Sequence, residues 1–322
     1  CNQKLLANKI GIVQKAINSK TTLDLLKGVL IVTKQDEIVL KGYDLEIGIE
    51  YIMEAEQSII VPEYSANKDF DTKVATLMKE HFKSNPTKMF IKMNQYLRSI
   101  VRDDWEIQII NYQQERETYL ATLKAVEVLG IKYIPTIYSY KTKNISMILN
   151  SCALGYGNNI NIFLSYFLFN KVLSDSKEKE FIIGHELGHN QNNSTAVYIV
   201  NVSESLETSR FGEYTADRAG LLVCKDIEAA TRALLKVSTA GDISKEKCKE
   251  IAHNMVENAE INCIHLPEDR STHPCLERRV AAMKAFSISR MYARLTGMPV
   301  SSSMLSDEAL EQRLARIIKG GK

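Results

Sequence analysis

The first 62 residues carry two periodicities in succession. Leu5, Leu6, Ile10, Ile12, Val13 and Ile17 recur at roughly helical spacing and predict a helix near the start. Three short β-branched runs follow, at Gly28–Val32, Glu37–Leu40 and Leu45–Ile49, separated by Lys34-Gln35-Asp36 and Gly42-Tyr43-Asp44. That alternation of strand-like runs and polar breaks predicts a β-meander. From 63 to 130 the spacing becomes helical, with a break at Asn85-Pro86, where proline lacks a backbone donor. Val74, Leu77, Met78 and Phe82 share one predicted face, and Phe90, Met93, Leu97, Ile100 and Val101 share another. These are packing residues and carry no chemistry of their own.

Farther along, Ile131–Ser139 and Ile160–Phe163 predict strands. Phe181–His189, Gly212–Cys224 and Leu276–Leu295 predict helices, and Ser306–Ile318 predicts a closing amphipathic helix. No internal repeat or low-complexity tract interrupts this order. The reading is an α+β chain, mostly helical with a small sheet, in three parts: a small α+β module at 1–66, a helical connector at 67–110 and a larger domain at 111–322.

Composition narrows the functional classes. The 322 residues are 45% hydrophobic and 25% charged, enough to bury a core. A net charge of +2 gives no electrostatic case for nucleic acid or an acidic membrane surface. The six cysteines (Cys1, Cys152, Cys224, Cys248, Cys263 and Cys275) form no C-x-x-C pair. In a chain this long they are expected to be reduced thiols of a cytoplasmic protein. The most apolar stretch, Ile160–Leu173, is broken by Asn161, Asn170 and Lys171 and falls short of the roughly 20 residues that cross a bilayer. No signal peptide is visible. Cys1 would suit the first residue of a mature lipoprotein, but the residues after it point elsewhere.

The chemistry begins at Phe181-Ile182-Ile183-Gly184-His185-Glu186-Leu187-Gly188-His189, which contains H-E-x-x-H. Positions i and i+4 lie on one helical face, so His185 and His189 can hold one zinc ion, with Glu186 as general base. Gly184 and Gly188 permit close approach of backbone or substrate. Alone, the motif also suits an amphipathic surface helix, so a third ligand is needed. Glu213 and Asp217, again i and i+4, lie downstream. Glu213 would complete a two-histidine, one-carboxylate site with a position left open, and Asp217 could fix the tautomer of a ligand histidine. By themselves the two carboxylates equally suit a solvated acidic face. His273-Pro274 marks an ordinary helix start, followed by Arg279.

Two resemblances extend this reading. The run from Lys4 through Val32, then Glu37–Glu50, resembles the opening of the bacterial DNA polymerase sliding clamp, the β subunit. A helix, Thr21-Thr22-Leu23, strands and Asp44-Leu45-Glu46-Ile47 carry the likeness, which fades near Pro62. It spans about half of one clamp domain, so this chain should not encircle DNA alone. In clamps a few residues usually precede the position of Cys1, which weighs against the lipoprotein reading.

Residues from about 119 to 295 resemble the HtpX and CAAX-prenyl-protease family of gluzincin metallopeptidases, peptidase family M48. The elements occur in that family's order: Asn150 to Ala153, Gly155 to Phe163, H-E-x-x-H, the Glu213-to-Asp217 helix, then Thr272-His273-Pro274 with a following arginine. The resemblance implies a zincin-like domain and one zinc per chain, held by His185, His189 and Glu213. It implies Glu186 as base, Asp217 as a support behind the ligands, and His273 and Arg279 as catalytic candidates near the site that steady the oxyanion or cover the metal. It also implies that Ile160–Phe163 is an edge strand pairing with a peptide substrate. Two departures stand out: Asn190–Ser194 is polar where a longer helix is expected, and Cys275 follows Pro274, where it would be an inhibitory thiolate if it reached the metal.

The resulting expectation is a zinc-dependent metalloendopeptidase in which Glu186 activates the attacking water. The clamp-like block implies replication-clamp or DNA-associated protein partners. The competing expectation is a latent peptidase fold serving as an interaction module. A pull-down with the first block separates the two.

Overall fold

β-branched residues recur in Val29–Lys34 and Glu37–Tyr43, and both segments form strands as those residues favour. In the computed structural model, β1 (Val29–Lys34), β2 (Glu37–Tyr43) and β3 (Gly48–Met53) make an antiparallel meander in that order. Ile31 pairs with Leu40, and Leu40 with Tyr51. The structure describes residues 29–34, 37–43, 48–53, 61–84, 105–132, 134–144, 147–156, 159–191, 206–264 and 273–319. The helix expected over Leu5–Ile17 lies outside them, as does most of the expected 67–110 connector beyond Ser84. The chain divides into two compact units, Cys1–Ser58 and Ile59–Lys322.

The second unit opens with α1 (Lys68–Ser84), β4 (Glu106–Ile109) and α2 (Arg116–Val128). Helix α2 ends in a Schellman cap: Gly130 is left-handed at φ +64°, its N–H donates to Glu127 O, and Ile131 N–H donates to Val126 O. Ile131 is therefore engaged in closing a helix. The strand expected from Ile131 begins only at Thr136, after Pro135, as β5 (Thr136–Lys141).

β6 (Ser151–Tyr156) and β7 (Asn159–Ser165) complete a four-stranded sheet of order β4-β5-β7-β6. β5 and β7 run parallel, and the outer pairs are antiparallel. The period of two divides the faces of β7. Ile160, Ile162 and Leu164 join the main helical core, while Phe163 faces a second cluster with Trp105 and Tyr140. There Trp105 stacks on Tyr140 at 4.0 Å and Tyr138 on Phe163 at 4.8 Å. The expected edge strand at Ile160–Phe163 is corrected here. β7 is paired on both sides, and β6 holds that edge of the sheet. The apolar Ile162-Phe163-Leu164 run in β7 suits an interior strand.

The remaining chain is helical: α3 (Ser176–Gln191), α4 (Leu206–Cys224), α5 (Ile227–Ser238), α6 (Lys245–Glu257) and α7 (Ala259–Ile264). Then come α8 (Leu276–Ser287), α9 (Arg290–Thr296) and α10 (Asp307–Lys319). The single helix expected over Leu276–Leu295 is two. Ser289 takes an extended conformation, and its Oγ accepts from Tyr292 N–H at 3.1 Å, which starts a new helix. Helix α3 is the centre of the unit. Phe181, Ile183 and Leu187 are fully buried in the main core, where α3 packs on α4, α2, α5 and β6. Burying each such side chain contributes about 1.5–3 kcal/mol. Among the described residues, no helix is long and apolar enough to cross a membrane.

Candidate metal centre

Helices α3 and α4 pass unusually close to one another. A Cβ on Gly188 would lie 2.7 Å from Ala219 Cβ and 2.9 Å from Ala216 Cα, and one on Gly184 would lie 2.9 Å from Gly220 Cα. Only residues without side chains allow that approach. It brings the H-E-x-x-H face of α3 against the Glu213 turn of α4.

The i, i+4 spacing delivers His185 and His189 as expected. Their rings are 4.6 Å apart and nearly perpendicular, with the two Nε2 atoms 3.0 Å apart. His189 Nε2 lies 3.3 Å from Glu213 Oε1, and His185 Nε2 lies 3.7 Å from Glu213 Oε2. One ligand atom from each of His185, His189 and Glu213 falls within 4.8 Å of the others, and Cys275 is not in that group. Four-coordinate zinc with ligands at 2.0–2.2 Å has ligand-to-ligand edges of about 3.3–3.6 Å. The observed separations bracket that range. Among the described residues Glu213 Oε2 is also buried without a hydrogen-bond partner, as a carboxylate that serves a cation can be. The donor set and its geometry fit the group that the motif implies.

Behind the ligands stands a buried relay. Asp217, 1% exposed, has Oδ1 3.0 Å from His185 Nδ1. Arg279 grips the same carboxylate at two points, Nη2 to Oδ1 at 2.6 Å and Nε to Oδ2 at 2.8 Å. The Arg279 Nη2 also lies 3.5 Å from Glu213 Oε2. With a carboxylate facing Nδ1, the imidazole proton sits there and Nε2 turns its lone pair into the site.

Charge balance agrees with this layout. Burial alone would raise the carboxyls of Glu213 and Asp217. His189 and Arg279 nevertheless hold Glu213 well below the usual carboxylate range, and Arg279 with His185 lowers Asp217. Burial disfavours charge on His189, yet Glu213 and Glu186 raise it. Burial dominates at Glu186 and pushes its carboxyl up, against the pull of His185 and His189.

All seven residues singled out in the sequence come together. His185, Glu186 and His189 lie on α3, Glu213 and Asp217 on α4, and Arg279 on α8. His273 precedes α8 with its side chain 70% exposed and Nε2 3.5 Å from Glu213 Oε1. Nothing in the residue pattern signals that Arg279 and Asp217 bind each other. They are 62 residues apart, and only the packing of α8 on α4 joins them. Nor did it show that segment 64–66 fastens behind the site. Ala66 N–H donates to Thr215 Oγ1 at 2.8 Å, Arg218 Nη1 donates to Tyr64 O and Ser65 O, and Tyr64 Oη donates to Gln191 Oε1 at the end of α3.

Comparison with characterised proteins and with solved structures yields no significant match. Two family models do match. The DNA polymerase III beta subunit, N-terminal domain, matches residues 1–114. Peptidase family M48 matches residues 113–204 and 195–287, a region that contains the whole ligand cluster and Arg279. That match covers more than half of the chain, and the chain belongs to peptidase family M48.

Proposed function

We propose that the chain is a zinc-dependent metalloendopeptidase with its metal held by His185, His189 and Glu213. The observation that carries this reading is the convergence of three ligand atoms within 4.8 Å, one of the carboxylate oxygens having no hydrogen-bond partner among the described residues. Zinc bound there supplies a Lewis acid that polarises a peptide carbonyl and acidifies a water molecule. Glu186, adjacent to a ligand and buried, accepts the proton of the attacking water on its carboxylate and delivers it to the leaving amine nitrogen. Asp217 holds His185 in the tautomer that presents Nε2. Arg279 acts as a positioning residue, since its guanidinium is committed to Asp217. His273, exposed beside Glu213, meets the developing oxyanion of the substrate. Strand β6 ends the sheet on that side, where an extended peptide would add as a further strand. Glu186→Gln is the direct test: zinc stays at one per chain while peptide cleavage disappears. Cleavage retained in that variant refutes the mechanism.

A second reading concerns residues 1–66 and rests on the match to the polymerase clamp subunit. This segment is proposed to guide the peptidase to replication-clamp or DNA-associated proteins. Capture of a clamp-associated protein by the full chain, lost when residues 1–58 are deleted, is the expected result. Equal capture by both forms refutes it.

A further inference from the structure

The start of α3 lies away from the metal ligands. Seven residues separate Glu178 from His185, about 10 Å along the axis. A cavity of about 320 Å³ opens there, between the start of α3, helix α5 and helix α6. Four cationic side chains line it: Arg232, Lys236, Lys245 and Lys249.

Two of the four are balanced. Lys236, only 6% exposed, donates to Glu178 Oε2 at 2.7 Å and to Ser174 Oγ at 2.9 Å. Arg232 donates from Nε to Glu178 Oε1 at 3.2 Å and from Nη2 to Asp175 Oδ2 at 3.0 Å. Glu178 is 1% exposed, so both cations are fixed in place by a buried anion. These contacts use two of the three Lys236 ammonium protons and, among the described residues, leave Arg232 Nη1 unengaged.

The other two are not balanced. Lys245 and Lys249 make no ion pair among the described residues. They sit at i and i+4 on one face of α6, where like charges repel. Lys245 is the first residue of α6, at the positive end of its dipole, where a cation is unfavourable. Ser176, the first residue of α3, lines the same cavity, so the starts of two helices converge on it. An arrangement that is repulsive by itself becomes favourable when an anion enters, because lysines, helix ends and the buried Lys236–Arg232 pair then face one negative charge.

We infer that the cavity between the starts of α3 and α6 is an anion site for a phosphate group, either free phosphate or a small phosphomonoester, bound by Lys236, Arg232, Lys245 and Lys249. The site is distinct from the metal centre and is independent of the proposed peptidase mechanism.

Isothermal titration of the full chain with inorganic phosphate and with free phosphoserine, at ionic strength fixed with potassium chloride, tests it. Phosphate is expected to bind the parent protein saturably. The exposed pair Lys245→Ala/Lys249→Ala is expected to weaken that binding about tenfold or more. Its melting curve without ligand should stay close to the parent's, because both side chains are exposed. Binding of phosphoserine as well identifies a phosphomonoester as the occupant, and binding of phosphate alone identifies the free ion. No saturable heat from either ligand, or equal affinity in parent and double variant, overturns the inference.

Discussion

Gly188→Ala tests the idea that a backbone-to-backbone approach of two helices assembles the metal centre. The new methyl would sit 2.7 Å from Ala219 Cβ and 2.9 Å from Ala216 Cα, where carbon atoms prefer about 3.5–4.0 Å. One of those obstacles is backbone, so α3 and α4 must separate by about 1 Å. Overpacking of this kind costs about 1–3 kcal/mol. Alanine's better helix propensity returns about 1 kcal/mol. The net loss of stability is thus about 0–2 kcal/mol, a weak readout. Metal affinity is the sharper one. The 3.3 Å edge between His189 and Glu213 would widen to about 4.3 Å, beyond the tetrahedral edge of about 3.3–3.6 Å. A tenfold to hundredfold weaker zinc affinity is expected, as for lost support of ligand position. The assay is competition for zinc with a chromophoric chelator, alongside a urea melt. Adding Ala219→Gly removes the nearer obstacle and should restore part of the affinity, since Ala216 Cα remains. Parent-like zinc affinity in Gly188→Ala alone would refute the reasoning, because the ligands would then be indifferent to helix spacing.

Two more outcomes follow from buried carboxylates. Asp217→Asn removes the anion that Arg279 grips and that faces His185 Nδ1. Zinc affinity is expected to fall tenfold to hundredfold in the same competition assay. Stability should fall by up to about 3 kcal/mol, because Arg279 loses its main buried counter-charge; unchanged urea unfolding would contradict that. Asp71, hydrogen-bonded by Ser65 and 4% exposed, has its carboxyl raised by burial to about 6. Between pH about 4 and 6 the folded state therefore binds more protons than the unfolded chain, so this group's contribution to stability falls as pH rises through that window. Asp71→Asn should flatten that part of the profile and gain on the order of 2–3 kcal/mol above pH 6. A parent-like slope in urea melts from pH 4 to 7 would show that Asp71 is ionised normally.

The residues that gather at the candidate metal centre were legible in the order of the chain. Spacing on one helix is a local property, so H-E-x-x-H placed His185 and His189 together before any fold was known, and Glu213 with Asp217 followed by the same rule. The meander of the first unit was legible for a similar reason, as short β-branched runs with polar breaks have few alternatives, although its third strand runs Gly48–Met53 where Leu45–Ile49 is expected. Local competition blurred element ends. Ile131 caps α2, and Ser289 restarts a helix, because hydrogen bonds at element ends override apolar spacing. Tertiary structure alone decided what meets across sequence distance. It set β7 inside the sheet and β6 at its edge, since pairing order is not written in any one strand. It joined Arg279 to Asp217 and brought Lys245 and Lys249 to the start of α3. It also gave Gly188 its purpose: a missing side chain has meaning only against the helix that fills its place.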